Sequence, residues 1–122
     1  MTAVLLVVDA ANVVGSVPDG WWRDRFGATV RLRDRLVPLA ERGLADLPGP
    51  LDVLLVVEGK ARDVPPIEGV RVLAAPRSGD DAIVELLERE PPGRTTVVVT
   101  ADRALRERVR RLGAQVLGPR AV

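Results

Sequence analysis

The chain has 122 residues, enough for a single domain spanning 1–122 that buries a real core without disulfides or a structural metal. It contains no Cys, His or Tyr, which excludes a thiol nucleophile, an imidazole base, a Ser-His-Asp triad and any His/Cys metal site. Its 18 basic and 17 acidic residues leave a net charge of +1, so nucleic acid would have to meet a local patch rather than a globally basic surface.

Catalysis is left to carboxylates, Arg, Lys, Thr, backbone amides or a metal held on oxygen, and all-oxygen ligation suits Mg²⁺ or Mn²⁺. Lys60 is the single lysine, so positive charge is nearly all Arg, whose planar fork suits phosphate. No apolar run approaches the roughly 20 residues of a membrane span, so no membrane association is expected. The chain opens into a strand without a basic leader, which predicts no signal peptide and a cytoplasmic protein, and the lack of Cys agrees.

In chain order, residues 4–8, "VLLVV", read as a strand buried on both faces that runs straight into Asp9, with Asn12 three positions on. The loop "GSVPDGWWRDRFGA" turns at Pro18 and Gly20 and holds the only tryptophans, Trp21 and Trp22, with Arg23 and Arg25 interleaved among acids. An indole there would stack a base while Arg holds phosphate; its alternative use is to cover a core edge or a homodimer contact. A helix is expected over 28–44 with Leu32, Leu36, Leu39, Ala40 and Gly43 inward, and Pro38 should kink or divide it.

A second buried strand, "LDVLLVV" at Leu51–Val57, is followed directly by Glu58, and a shorter one is expected at Val70–Ala74. The loop "AAPRSG" carries Arg77 and leads to a helix over 80–89 with Ile83, Leu86 and Leu87 inward. A strand at 95–100, "TTVVVT", precedes Asp102 and a helix over 103–112, whose stripe is Leu105, Val109 and Leu112 and whose C′ residue is Gly113. Arg103, Arg106 and Arg110 would track a nucleic-acid backbone or form a solvated face with Glu107. Gln115–Leu117 is a last short strand, and the Gly/Pro-rich stretches at 48–50, 64–69 and 91–93 are connecting loops.

The order β-α-β-β-α-β-α-β predicts an α/β fold, a three-layer α/β/α sandwich on a mostly parallel central sheet. In such sheets sites form outside the carboxyl ends of the strands. Asp9, Glu58, Asp80, Asp81 and Asp102 all lie at strand ends or helix starts, and more than two or three carboxylates in one pocket would need a cation. Each also has a purely local use: Asp81 stands at capping-box spacing from Ser78, Asp80 is a first-turn acid, Asp102 suits an N-cap and Glu58 a loop. Asp9 is the hardest to explain locally, because a carboxylate ending a buried strand needs partners.

At these residues the chain resembles the PIN-like nucleases, in particular their NYN and YacP-like branch. "VVDAANVVGS" is similar to that family's first motif, an aspartate ending strand one with asparagine three residues on. "SGDDAIVELL" looks like its central-helix motif, with Asp81 in the matching position. "VVVTADRALRERVRRLGAQVLGP" looks like its strand, Ser/Thr-x-Asp and helix segment, with Asp102 matching. The motifs occur in the family's order and span almost the whole chain.

The resemblance implies a metal-dependent ribonuclease in which Asp9, Asp81 and Asp102 ligate one or two Mg²⁺ or Mn²⁺ ions that activate water on an RNA phosphodiester. Asn12 would position Asp9 or the phosphate, or serve as an Asx-type turn residue. Some NYN members carry a further aspartate where this chain has Ala104, and Glu58 or Asp80 are candidates for that extra carboxylate. Trp21, Trp22, Arg23, Arg25, Arg77 and Arg103 are the candidates for substrate contact. Two other readings stand beside this one: a PIN-like RNA-binding or regulatory module without catalysis, and a small-molecule phosphohydrolase. Against the latter, haloacid dehalogenases want a second aspartate where Ala11 stands, receiver domains want a paired acid beside Asp9 and a late lysine, and no P-loop is present.

Overall fold

The computed structural model describes residues 3–122. Strand β1 (Val4–Asp9) passes directly into a short helix α1 (Ala10–Gly15), and a 3-10 turn at Trp21–Arg23 leads into α2 (Arg25–Arg42). A two-residue hairpin, β2 (Gly43–Leu44) and β3 (Leu47–Pro48), precedes β4 (Leu51–Val57) and β5 (Val70–Ala74). Then come α3 (Gly79–Arg89), β6 (Thr96–Val99), α4 (Arg103–Arg111) and β7 (Gln115–Leu117). Among the described residues the main sheet has five strands in the order β5-β4-β1-β6-β7, and every pairing in it is parallel. This is the expected α/β sandwich, with β1 as its central strand.

Alternate side chains of each strand enter opposite cores, which is why the strands are apolar throughout. Leu6, Val8, Val53, Leu55 and Val57 pack with Val13 of α1 and with Leu32 and Leu36 of α2. Leu5, Val7, Leu54, Val56 and Val98 face the other way, onto Ile83 and Leu87 of α3 and Leu105 and Val109 of α4. Each such side chain contributes about 1.5–3 kcal/mol when fully buried, so both faces of β1 are held firmly.

Helix starts follow local chemistry. Asp24 caps α2 by accepting from the Gly27 N–H at 2.9 Å, and a Cβ at Gly27 would collide with that carboxylate. Ser78 caps α3 through the Asp81 N–H, and Asp102 caps α4 through the Leu105 N–H at 3.0 Å, as their spacings suggest.

Several sequence expectations need correction. Helix α2 starts at Arg25, three residues early, where Asp24 caps it, and ends at Arg42, two residues early, because Gly43 takes φ 97° and opens the hairpin, where a Cβ would strike the Leu47 carbonyl. Of the kink or break expected at Pro38, the break does not occur: α2 runs on through it, the ring costing one backbone hydrogen bond while Leu36 and Ala40 on either side are anchored in the core. Leu112 is not part of the α4 stripe but follows the helix and is 43% exposed, while Gly113 at φ 88° ends the element as expected. Helix α1 is an addition, since six residues are too few to show a period. No helix of the described residues is long and apolar enough to cross a membrane.

Candidate active site

From β1 the chain steps outward to β4 and β5, then returns to β6 and β7 on the other side, so strand order reverses between β1 and β6. Crevices of α/β sheets open at such a point, beyond the carboxyl ends. The register pairs Val8 with Val99, which sets Asp9 level with Thr100. The Thr100 hydroxyl donates to Asp9 Oδ2 at 2.9 Å and accepts from the Asp102 N–H at 3.1 Å. A hydroxyl has one proton, and here it is directed at Asp9. Asn12 Oδ1 accepts from the Ala101 N–H at 2.8 Å, tying the β1–α1 turn to the β6–α4 loop. Asn12 is thus a brace across the crevice.

Asp9 is 7% exposed, and its carboxyl is raised from an ordinary 3.8 to about 6. Burial is the main cause, the Thr100 hydroxyl and the Asn12 backbone amide pull the other way, and the negative charges of Glu58 and Asp80 raise it further. Glu58, just past β4, accepts from the Gly79 N–H at 3.0 Å through Oε2, at the amino end of α3. A Cβ on Gly79 would stand 3.2 Å from Glu58 Oε1 and 3.8 Å from Asp9 Oδ1. Glycine there leaves a small space onto which both carboxylates face.

The other expected acids are placed differently. Asp81 is exposed and its Oδ1 is bridged by both terminal nitrogens of Arg108 on α4, each at 3.1 Å. Asp102 spends Oδ1 on its helix cap, and its backbone N–H, not its carboxylate, donates to the Thr100 hydroxyl that holds Asp9. The acids whose charges raise the Asp9 carboxyl are Glu58 and Asp80. Among the described residues no group of three or more acids is arranged so that it could hold a metal ion.

Beside Asp9 lies a cleft of about 490 Å³, walled by Ala10 and Ala11 of α1, by Trp21 and Arg25, and by Glu58, Arg62 and Arg77. The Arg25 guanidinium sits 5.2 Å from the centre of the Trp21 ring, a cation–π arrangement that fixes its head group. Trp22 meets Trp21 edge-on at 6.0 Å and 87° and is 57% exposed. Of the substrate-contact candidates, Trp21, Arg25 and Arg77 line the cleft, Trp22 stands next to it, Arg23 is an exposed residue of the same turn, and Arg103 lies on α4 in a separate depression. Two residues gave no warning in sequence: Thr100 closes a strand of ordinary β-formers, and Arg62 sits in the loop "GKARDV" with nothing to distinguish it from a solvated arginine.

This strand order and its layers recur in a solved protein. The chain superposes on the crystal structure of Rae1 (YacP) from Bacillus subtilis with a TM-score of 0.78 at 18% identity, covering 99% of this chain and 71% of that one. A point variant of the same protein gives 0.75 at 18% identity, over 97% and 71%. The chain has the fold of Rae1. No sequence-family model matches it, and no curated protein sequence does. The Rae1-like fold agrees with the YacP-like branch that the three motifs resemble, and it explains their wide separation. Their acids are 72 residues apart from Asp9 to Asp81 and 21 from Asp81 to Asp102, yet the parallel register gathers the carboxyl ends of β1, β4 and β6 along one edge, where Glu58 meets the amino end of α3.

Proposed function

We propose that this chain is a metal-dependent ribonuclease that hydrolyses RNA phosphodiesters in the cytoplasm. The observation that carries this reading is Asp9: a buried carboxylate at the switch point of a Rae1-like sheet, crowded by Glu58 and Asp80 and adjoining an arginine- and tryptophan-lined cleft. The donor set is all oxygen, as Mg²⁺ or Mn²⁺ prefers, and Mg²⁺ commonly takes only one or two protein carboxylates with water and substrate phosphate completing its shell. Asp9 and Glu58, facing the same space beside Gly79, fit that pattern. Asp80 and Asp102 stand next in line, and Asp81 would first have to leave Arg108.

A bound Mg²⁺ or Mn²⁺ supplies activated water and offsets charge developing on the phosphodiester. The chain does the rest. Thr100 and Asn12 hold Asp9 and the β6–α4 loop in fixed relation. Arg25, Arg62 and Arg77 bind phosphate oxygens, and Trp21 keeps the Arg25 fork in place. Burial of Asp9 strengthens every charge interaction it makes.

The test is Mn²⁺ binding by calorimetry together with cleavage of an unstructured RNA. Asp9→Asn should abolish both. Retained cleavage would refute the assignment. That no three acids converge among the described residues is one observation in favour of the module that binds RNA without cutting it. That reading wins if the unmodified protein binds RNA but takes no Mn²⁺ at millimolar concentration.

A further inference from the structure

Two basic depressions flank the Asp9–Asn12 turn along the carboxyl edge of the sheet. Ala10 and Ala11 wall the Trp21 cleft. Ala101, whose N–H is held by Asn12 at 2.8 Å, walls a second depression of about 320 Å³ lined by Arg103, Arg106 and Arg110 of α4 with Glu107. Spacings of three and four residues put these arginines on one helix face. Among the described residues none of the three forms an ion pair, and Arg106 Nε is buried with no hydrogen-bond partner. Guanidiniums without ion pairs leave uncompensated positive charge in the depression, and the exposed forks of Arg103 and Arg110 suit a phosphate anion.

We propose that a single strand of RNA crosses this edge through both depressions. One nucleotide lodges in the Trp21 cleft, the phosphate to be cut lies at Asp9, and the phosphates beyond it rest on Arg103, Arg106 and Arg110. The position of the cut rests on the nuclease reading; the path of the strand does not. A single strand is specified by the cleft. Its wall is an indole capped by a guanidinium, with a second, exposed indole beside it, and these surfaces take the open face of an unpaired base. In an A-form duplex those faces are stacked away, and only backbone and groove edges are presented.

The experiment measures binding by fluorescence anisotropy across a salt series without divalent metal. The probes are a labelled, unstructured RNA of about a dozen nucleotides, a trinucleotide, and a duplex of the longer sequence. Each phosphate neutralised on a single strand contributes about 0.7 to the slope of log K against log salt. The double variant Arg103→Gln with Arg110→Gln should lower the slope for the long RNA by about 1.4. Both side chains are exposed, so the fold should survive, as an unchanged melting temperature would confirm. The trinucleotide should be indifferent to that variant and weakened by Arg25→Gln. An unchanged slope for the long RNA overturns the path, as does a wild-type protein that binds no RNA. Equal binding of the duplex with the same arginine dependence overturns the single-strand assignment. If the slopes behave as expected but the wild type with Mn²⁺ cuts nothing, the path stands and the nuclease reading falls.

Discussion

At the scale of the residue, the Asp9 carboxyl near 6 links stability to pH. A carboxyl raised from 3.8 to about 6 binds its proton more tightly in the folded state. Its contribution is therefore fully present below 3.8, shrinks as pH rises, and is gone above about 6. At 1.36 kcal/mol per pH unit the difference is on the order of 3 kcal/mol. Metal-free protein should accordingly be more stable to urea at pH 4.5 than at pH 8. Asp9→Asn, which keeps an acceptor for Thr100, should raise stability at pH 8 by up to that amount while removing Mn²⁺ binding. A variant no more stable than wild type at pH 8 would show that the buried charge is offset by something else. The neighbouring acids separate in the same way: Asp80→Asn, beside Asp9, should weaken Mn²⁺ binding more than Asp81→Asn, whose carboxylate is held by Arg108.

At the scale of the element, the turn Trp21–Arg23 joins α1 to α2 and builds one wall of the cleft. Trp21→Ala removes a stacking surface and frees Arg25, so RNA binding should weaken by roughly 1–3 kcal/mol, the scale of one base–aromatic stack. Mn²⁺ affinity should not move, because the turn holds none of the acids. Helix α3 offers a complementary probe. Gly79→Ala brings a methyl group to 3.2 Å from Glu58 Oε1, so the carboxylate must give by a few tenths of an ångström. Alanine also favours a helix over glycine by up to about 1 kcal/mol, so stability should change little. Mn²⁺ affinity should fall. A loss of stability without loss of affinity would assign Gly79 to packing alone.

At the scale of the whole molecule, the two ends of the parallel sheet do different work. The carboxyl end holds the candidate site, and the amino end is fastened by Arg94, which reaches Asp52 at 2.7 Å, Glu90 at 2.9 Å and the Ala3 carbonyl at 3.1 Å. Partial burial would raise the Asp52 carboxyl, but Arg71 and Arg94 outweigh it and hold it below its ordinary 3.8. That contribution is present above 3.8 and is lost as pH falls through the lowered value, so acid unfolding should begin where the Asp9 gain has already saturated. Arg94→Met should cost about 1.5–3 kcal/mol, the range for hydrogen bonds to charged groups, and shift the acid midpoint upward. It lies at the far end of the strands from Asp9, so Mn²⁺ and RNA binding should be unchanged. Weakened RNA binding at unchanged stability would contradict that division of labour.

The layers were legible in the amino-acid sequence. Uninterrupted runs such as "LLVV" and "VVVT" can be stable only with helices on both faces, and the intervening amphipathic stretches supplied those helices. Asp9 was legible for the same reason, because a carboxylate ending a buried strand has no cheap local explanation. The tertiary structure decided which acids keep it company. Asp80 and Asp81 are adjacent in sequence, and a helix turns successive side chains by about 100°, so one falls beside Asp9 and the other reaches Arg108 on α4. Thr100, Arg62 and the brace from Asn12 to Ala101 were hidden because each depends on a partner 14 to 91 residues away, which only the register of parallel strands and the packing of loops bring into reach.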